Sequence, residues 1–215
     1  MFHTVLFDLD GTLTDPGEGI TNSVAYALRH YGISVSDRTS LYPFIGPPLD
    51  ESFRKYFGMS QVQSFEAVEV YREYFSTKGL FENRVYDGIE DLLSDLKRSG
   101  KKLMVATSKP EVFSVQILEH FGLAKYFDVI SGALLHPPKG YGKADVIAEA
   151  LKRGEITNLD GVIMVGDRLH DVEGAHKVGI PAVGVLYGYG DRQEHESSGA
   201  DYIVESISQL RQLLQ

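Results

Sequence analysis

The sequence contains no cysteine, so neither a disulfide framework nor a thiolate metal centre can be built from it. It holds no run approaching the ~18 apolar residues that span a bilayer. Basic charge is not in excess: 21 Lys and Arg stand against 30 Asp and Glu, a formal charge of −9. That balance argues against a nucleic-acid polymer or an anionic membrane as partner. The first residues lack the basic stretch, apolar core and small-residue site of a secretory leader, so a cytoplasmic location is expected. Internal repeats and low-complexity tracts are absent too. What remains, 215 residues with 43% hydrophobic and 24% charged, suits one domain, or one domain carrying a smaller insert around a sizeable core.

Four short apolar runs stand out: Thr4–Leu9, Lys102–Thr107, Gly161–Gly166 and Ala182–Tyr187. Each is near-continuous rather than alternating, which predicts strands of a parallel sheet covered on both faces. Phe127–Gly132 is a weaker strand and Asp201–Val204 an edge strand. Between the runs, apolar spacing predicts helices. Ile89, Leu92, Leu93 and Leu96 precede a stop at Gly100; Val112, Val115 and Leu118 precede Gly122; Val146, Ile147, Ala150 and Leu151 precede Gly154. From about residue 82 the alternation gives right-handed βαβ units, hence an α/β protein with a Rossmann-like three-layer core. Residues 16–81 break that rhythm, with helices around Thr21–Tyr31, Leu49–Phe57 and Gln61–Ser76 and no convincing strand. The stretch far exceeds a usual crossover. An all-helical domain, 16–81, is therefore expected as an insert after the first strand of a core formed by 1–15 and 82–215.

In open α/β sheets, ligands sit outside the carboxyl ends of the strands, and polar residues collect there. The first strand runs into FDLDGT (Phe7–Thr12), carrying Asp8 and Asp10. If strand alternation persists, Leu9 turns away and the two acids share a face. The second strong strand ends Thr107-Ser108-Lys109, and the third runs into GDRLHD with Asp167 and Asp171. The loop PPKGYGK brings Lys139 and Lys143 ahead of a helix. Each cluster has a plainer reading. Asp8–Gly11 suits a turn; Thr107 and Ser108 suit a helix N-cap ahead of Pro110; Asp167 and Asp171 suit the first turn of a helix over Asp171–Val178; Lys143 suits a solvated surface. A calcium loop fails, because Leu13 stands where glycine is needed and Gly19 where a bidentate glutamate is needed. Packing explains the convergence of three strand ends far less well than it explains any one. Several carboxylates at one edge call for a hard cation, and oxygen ligands without cysteine select Mg²⁺ over zinc. With a lysine and a hydroxyl beside it, such a site orients a phosphoryl group and leaves one aspartate as nucleophile, another as acid and base.

FDLDGT, Thr107, Lys143 and GDRLHD resemble, in order, the four motifs of the haloacid dehalogenase-like superfamily of phosphohydrolases, and the insert resembles its small helical cap. The resemblance covers essentially the whole chain, and DxDGT with a later GDxxxD is a specific combination. It implies a Mg²⁺-dependent phosphatase in which Asp8 attacks phosphorus to become an aspartyl phosphate, while Asp10 protonates the leaving oxygen and later activates water. It further implies Mg²⁺ held by Asp8, the main-chain carbonyl of Asp10 and Asp167, with Asp171 as ligand or support. Thr107 and Lys143 would hold the phosphoryl oxygens, with Ser108 assisting. Lys143 is preferred to Lys139 because it opens the amphipathic segment KADVIAEAL. Ser108 departs from the asparagine that such phosphatases often carry, which implies a weakened or re-aimed substrate contact.

Asp10 stands where superfamily dehalogenases and phosphonatases lack an aspartate, which favours phosphate-ester hydrolysis. The motifs also fit a phosphomutase, although Thr12 favours a hydrolase. FIGPPLDESF (44–53) and GVLYGYGD (184–191) resemble phosphoglycolate phosphatase-like and 5'-nucleotidase-like members. That implies a small phosphomonoester substrate, phosphoglycolate-like or a nucleoside monophosphate, with Gly46 and Arg54 as leaving-group contacts. A monomer or homodimer is expected. Receiver-like signalling proteins also gather aspartates, a threonine, a lysine and Mg²⁺ at strand ends, but they are shorter and have no helical insert.

Overall fold

The computed structural model describes residues 2–215. Strands β1 (Thr4–Phe7) and β2 (Thr14–Asp15) precede helices α1 (Gly17–His30), α2 (Leu49–Phe57) and α3 (Gln61–Tyr74). Next come β3 (Arg84–Val85), α4 (Ile89–Arg98), β4 (Lys102–Pro110), α5 (Glu111–His120) and β5 (Val129–Ala133). Then follow α6 (Lys143–Arg153), β6 (Val162–Gly166), α7 (Leu169–Val178) and β7 (Ala182–Val185). The chain closes with α8 (Arg192–Ser198), β8 (Tyr202–Val204) and α9 (Ile207–Leu214). It divides into two compact units, Met1–Thr14 with Val85–Gln215, and Asp15–Arg84.

The larger unit is built on a six-stranded sheet of order β5-β4-β1-β6-β7-β8, parallel at every pairing. This is the α/β architecture expected from the apolar runs. Leu6, Met104 and Met164 pack with Val146, Ile147 and Ala150 of α6 and with Val172 and Ala175 of α7. The alternate strand residues Val5, Phe7, Leu103, Val105, Ile163 and Val165 are just as inaccessible. Both faces are thus covered, which is why the strands read as continuous apolar blocks. Each fully buried aliphatic side chain contributes ~1.5–3 kcal/mol, so this double-sided burial dominates the unit's stabilisation.

From β1 the chain runs out to β4 and β5 on one side, then crosses back to β6 on the other. Such a reversal of strand order opens a crevice at the carboxyl edge. Phe7 is level with both Val105 and Val165. Asp8, Ala106 and Gly166 therefore follow at one edge, and the Asp8 N–H donates to the Val165 carbonyl at 2.9 Å.

Several elements differ from expectation. β1 stops at Phe7 rather than Leu9, because the Leu9 carbonyl accepts from the N–H groups of Leu13 (2.9 Å) and Thr14 (3.0 Å). Those bonds fold residues 9–14 into a turn that leaves the ladder. Helix α8 is additional to the helices expected from periodicity, since RQEHESS has no apolar face to announce it. Asp191 caps it by accepting from the Glu194 N–H at 2.8 Å, and His195 is fully buried.

The smaller unit is helical, with α3 packed against both α1 and α2. Phe44, ending a 3₁₀ stretch over Arg38–Phe44, meets Phe53 edge-on at 5.0 Å. Ser60 and Gln63 form a reciprocal capping box that starts α3, which runs on into a π turn over Phe75–Gly79. Helix α1 starts at Gly17, ahead of the expected Thr21. Gly17 and Gly19 mask the apolar period, while the Asp15 carboxylate accepts from the Gly17 N–H at 3.1 Å. No helix among the described residues is long and apolar enough to cross a membrane.

Candidate active site

Asp8 follows the last residue of β1, and Lys143 is the first residue of α6. The Lys143 ammonium lies 2.8 Å from Asp8 Oδ1 and 2.6 Å from Asp171 Oδ1. Both Lys143 and Asp171 are buried. Asp167 follows the end of β6 and completes the group: Asp8, Asp167 and Asp171 each offer a carboxylate oxygen, all within 4.8 Å of one another. Lys139, the other lysine of the loop, is exposed. The register of β1 with β6 makes this meeting possible, because it brings both acidic turns to one edge.

Asp10 takes a different partner. Its Oδ2 is paired with the ammonium of Lys109, which is buried in the last turn of β4. Thr107, buried two residues earlier, turns its Oγ1 to accept from the Lys109 N–H at 3.2 Å. Ser108 between them is exposed. Asp8 and Asp10 are neighbours, Asp10 feeling the charges of both Asp8 and Lys143, but strand alternation is not what brings them together. Both acids lie past the end of β1, Leu9 is fully buried, and each acid has its own lysine. In the sequence Lys109 stands out only as part of a strand end. Its pairing joins residues far apart in the chain, and no local spacing reports it.

Gly11 makes the turn possible. Its φ is 78°, in the left-handed region, and a Cβ there would collide with the Asp167 carboxylate. The Thr12 carbonyl accepts from the half-buried Tyr187 phenol at 3.1 Å. Burial, reinforced by the nearby Asp167, pushes that phenol's pKa up.

Burial governs the acids. It raises Asp167 well above the carboxylate range, with the charges of Asp171 and Asp8 adding to the effect. It lifts Asp171 to about 6 although Lys143 pulls the other way. Asp10 is raised as well, by burial first, against the opposing Lys109. Lys143 is raised: burial opposes its charge, but Asp171 and Asp8 outweigh it. Raised acids beside a raised lysine are the pattern of a charge cluster that is short of positive charge.

The cluster fits a hard divalent cation. Of the three carboxylates, Asp8 and Asp171 meet the Lys143 ammonium and Asp167 does not. Asp167 Oδ1 and Asp10 Oδ1 are buried with no hydrogen-bond partner, which is costly unless something else meets them. The donors are all oxygen, the preference of Mg²⁺. Among the described residues this is the acidic group whose geometry could hold a metal.

Gly46 and Arg54 lie in the smaller unit. Gly46 is exposed in the turn between the 3₁₀ stretch and α2, and Arg54 pairs with Asp50 on its own helix at 3.2 Å.

The Lys109–Asp10 pair carries a prediction. Lys109→Met is expected to lower kcat on an aryl phosphate by roughly 10–100-fold, part of what a positioned acid–base group supplies. Steady-state phosphate release checks it, and an unchanged kcat would remove Lys109 from the reaction.

Comparison with known proteins shows the family. Residues 5–185 match the model of the haloacid dehalogenase-like hydrolase family. The chain is 42% identical over 214 residues to a 5'-nucleotidase of Pseudomonas aeruginosa, covering 100% of this chain and 96% of that protein. It is 40% identical over 213 residues to the tyrosine-protein kinase PtkA of Mycobacterium tuberculosis, covering 98% of this chain and 72% of that one. The crystal structure of a predicted phosphatase from Clostridium acetobutylicum superposes with a TM-score of 0.94 at 51% identity, covering 100% of this chain and 98% of that one. The chain belongs to the haloacid dehalogenase-like hydrolases and is a phosphoric monoester hydrolase of that family.

Proposed function

We propose that the chain is a Mg²⁺-dependent phosphatase of small phosphomonoesters that works through an aspartyl phosphate on Asp8. The observation that carries this reading is the division of labour between two neighbouring acids, Asp8 on Lys143 and Asp10 on Lys109. A nucleophile and an acid–base group need environments that differ in this way.

Lys143 and Thr107 bind and orient the phosphoryl oxygens of the substrate. Asp8 forms a bond to phosphorus as the ester P–O bond breaks, and Asp10 gives its proton to the departing oxygen. Asp10 then takes a proton from the water that attacks the phosphorylated Asp8. The acyl-phosphate bond breaks, phosphate leaves and the carboxylate of Asp8 is restored. Asp8, Asp167 and the main-chain carbonyl of Asp10 would hold Mg²⁺, supported by Asp171; when bound, the ion neutralises charge on the phosphoryl oxygens. Lys109 keeps Asp10 oriented between the two half-reactions.

We assign the helical insert the part of a cap that selects the leaving group. A nucleoside 5'-monophosphate is the first substrate to try, given the 42% identity to the Pseudomonas enzyme, with phosphoglycolate second. The test is phosphate release from an aryl phosphate with Mg²⁺ and then with EDTA, followed by both substrate classes. Release that needs Mg²⁺ and falls to background in EDTA is expected. Release indifferent to EDTA would contradict the metal, and no release from any phosphomonoester would contradict the phosphatase reading.

A further inference from the structure

The loop that carries Asp167 and Asp171 is gripped from outside by residues 189–194, a segment that follows β7 and enters α8. Three contacts make the grip. The Tyr189 N–H donates to Asp167 Oδ2 at 2.8 Å. Gly190 lies against the Asp167 carbonyl, where a side chain would have no room. Glu194 reaches back with Oε1, accepting from the Arg168 Nε–H at 2.9 Å and from the Leu169 N–H at 2.7 Å. Its Oε2 accepts from the second guanidinium nitrogen at 3.4 Å. Glu194 is itself held, because its N–H donates to Asp191 Oδ1 at 2.8 Å. The Arg168 N–H in turn donates to Asp171 Oδ2 at 3.1 Å.

The oxygens sort into two sets. The Oδ2 atoms of both acids are taken by main-chain N–H groups, from Tyr189 and Arg168. The Oδ1 atoms are left for the site: that of Asp171 meets Lys143, and that of Asp167 has no hydrogen-bond partner. Each carboxylate is thereby fixed in rotation with one chosen oxygen aimed inward. A purely local helix cap would account for the Asp171 bond, but not for a glutamate from another helix closing on Arg168 and Leu169. Arg168 and Glu194 are both mostly shielded, with side-chain exposures of 17% and 20%. The pair is therefore bidentate and poorly screened, unlike a loose surface ion pair.

We infer that Glu194, through its bonds to Arg168 and the Leu169 N–H, is a positioning residue that sets the divalent-cation affinity of the Asp8–Asp167–Asp171 cluster. This rests on the Mg²⁺ reading above. Groups that orient metal ligands without touching the metal usually alter affinity by 10–100-fold when removed.

The experiment is calorimetric titration of Mg²⁺ into the full chain, beside Glu194→Ala and Glu194→Gln, with melting in EDTA to show that each variant is folded. Glu194→Gln keeps the volume and one oxygen for the Leu169 N–H, so it decides the matter if the alanine variant does not fold. The expected result is Mg²⁺ binding by the parent chain, a 10–100-fold weaker dissociation constant for Glu194→Ala and a smaller loss for Glu194→Gln. The Mg²⁺ concentration giving half-maximal activity should rise by the same factors. Binding by the parent and by the folded variants within twofold of one another would overturn the inference while leaving the Mg²⁺ reading intact. A parent chain that binds no Mg²⁺ would overturn both.

Discussion

Asp8→Asn should abolish turnover, by roughly 10⁴-fold or more, while leaving the fold at least as stable as before. The amide keeps the shape of the side chain but has no anionic oxygen to attack phosphorus. Loss of activity alone would fit any damaging substitution, so the stability half of the prediction matters. Asp8 is one of three carboxylates whose oxygens lie within 4.8 Å of one another, and it shares the Lys143 ammonium with Asp171. Removing one negative charge relieves repulsion, and Lys143 keeps Asp171. Melting in EDTA should therefore show an unchanged or higher midpoint. A variant that keeps a tenth of the parent's rate would deny Asp8 the nucleophile's role. One that loses rate only because it unfolds would deny the electrostatic account.

Lys143→Met should have the opposite effect on stability. Its side chain is only 4% exposed and bridges Asp8 and Asp171. Methionine matches its length but leaves both acids buried without their cation. Breaking a buried pair from one side costs ~3–5 kcal/mol. The lower end applies, because Asp171, already lifted to about 6, can take up a proton. The sign follows from that value. Above pH 6 the parent's Asp171 is ionised and depends on Lys143, so the deficit is largest there; below pH 6 both proteins carry the proton and the deficit shrinks. Denaturant unfolding in EDTA at pH 8 and pH 5 measures it. Activity should fall by roughly 10²–10³-fold, the usual loss when a charge-stabilising donor is removed. A variant as stable as the parent at pH 8 would mean that Lys143 is not the cluster's counter-charge.

The sheet was legible because its strands are buried on both faces, so Val162–Gly166 and its neighbours announce themselves as unbroken apolar blocks. Strand ends were less so. Leu9 looks like the continuation of β1, yet its carbonyl is claimed by Leu13 and Thr14, and no side-chain pattern shows where a carbonyl points. Helix α8 and the first turn of α1 were hidden for a related reason. One is polar throughout, the other opens on Gly17 and Gly19, and the Asp191 cap and the bond from the Gly17 N–H to Asp15 supply what periodicity lacks. Of the site, the acids stood out because packing does not ask for Asp8, Asp167 and Asp171 directly after apolar strands. Which lysine meets which acid was not readable. Lys109 reaches Asp10, and Lys143 reaches Asp8, only through the alignment of β1 with β4 and the placement of α6. The grip on Asp167 by the Tyr189 N–H leaves no trace in residue identity, since any main chain could make that bond.

The central claim is a covalent phosphoryl group on Asp8. The direct measurement is rapid acid quenching of the protein during turnover of a ³²P-labelled phosphomonoester with Mg²⁺, followed by mapping of the labelled peptide. The account predicts protein-bound label that is stable in acid, released by hydroxylamine, confined to the peptide holding Asp8 and absent from Asp8→Asn. Label on another residue, or label that persists in Asp8→Asn, would contradict it.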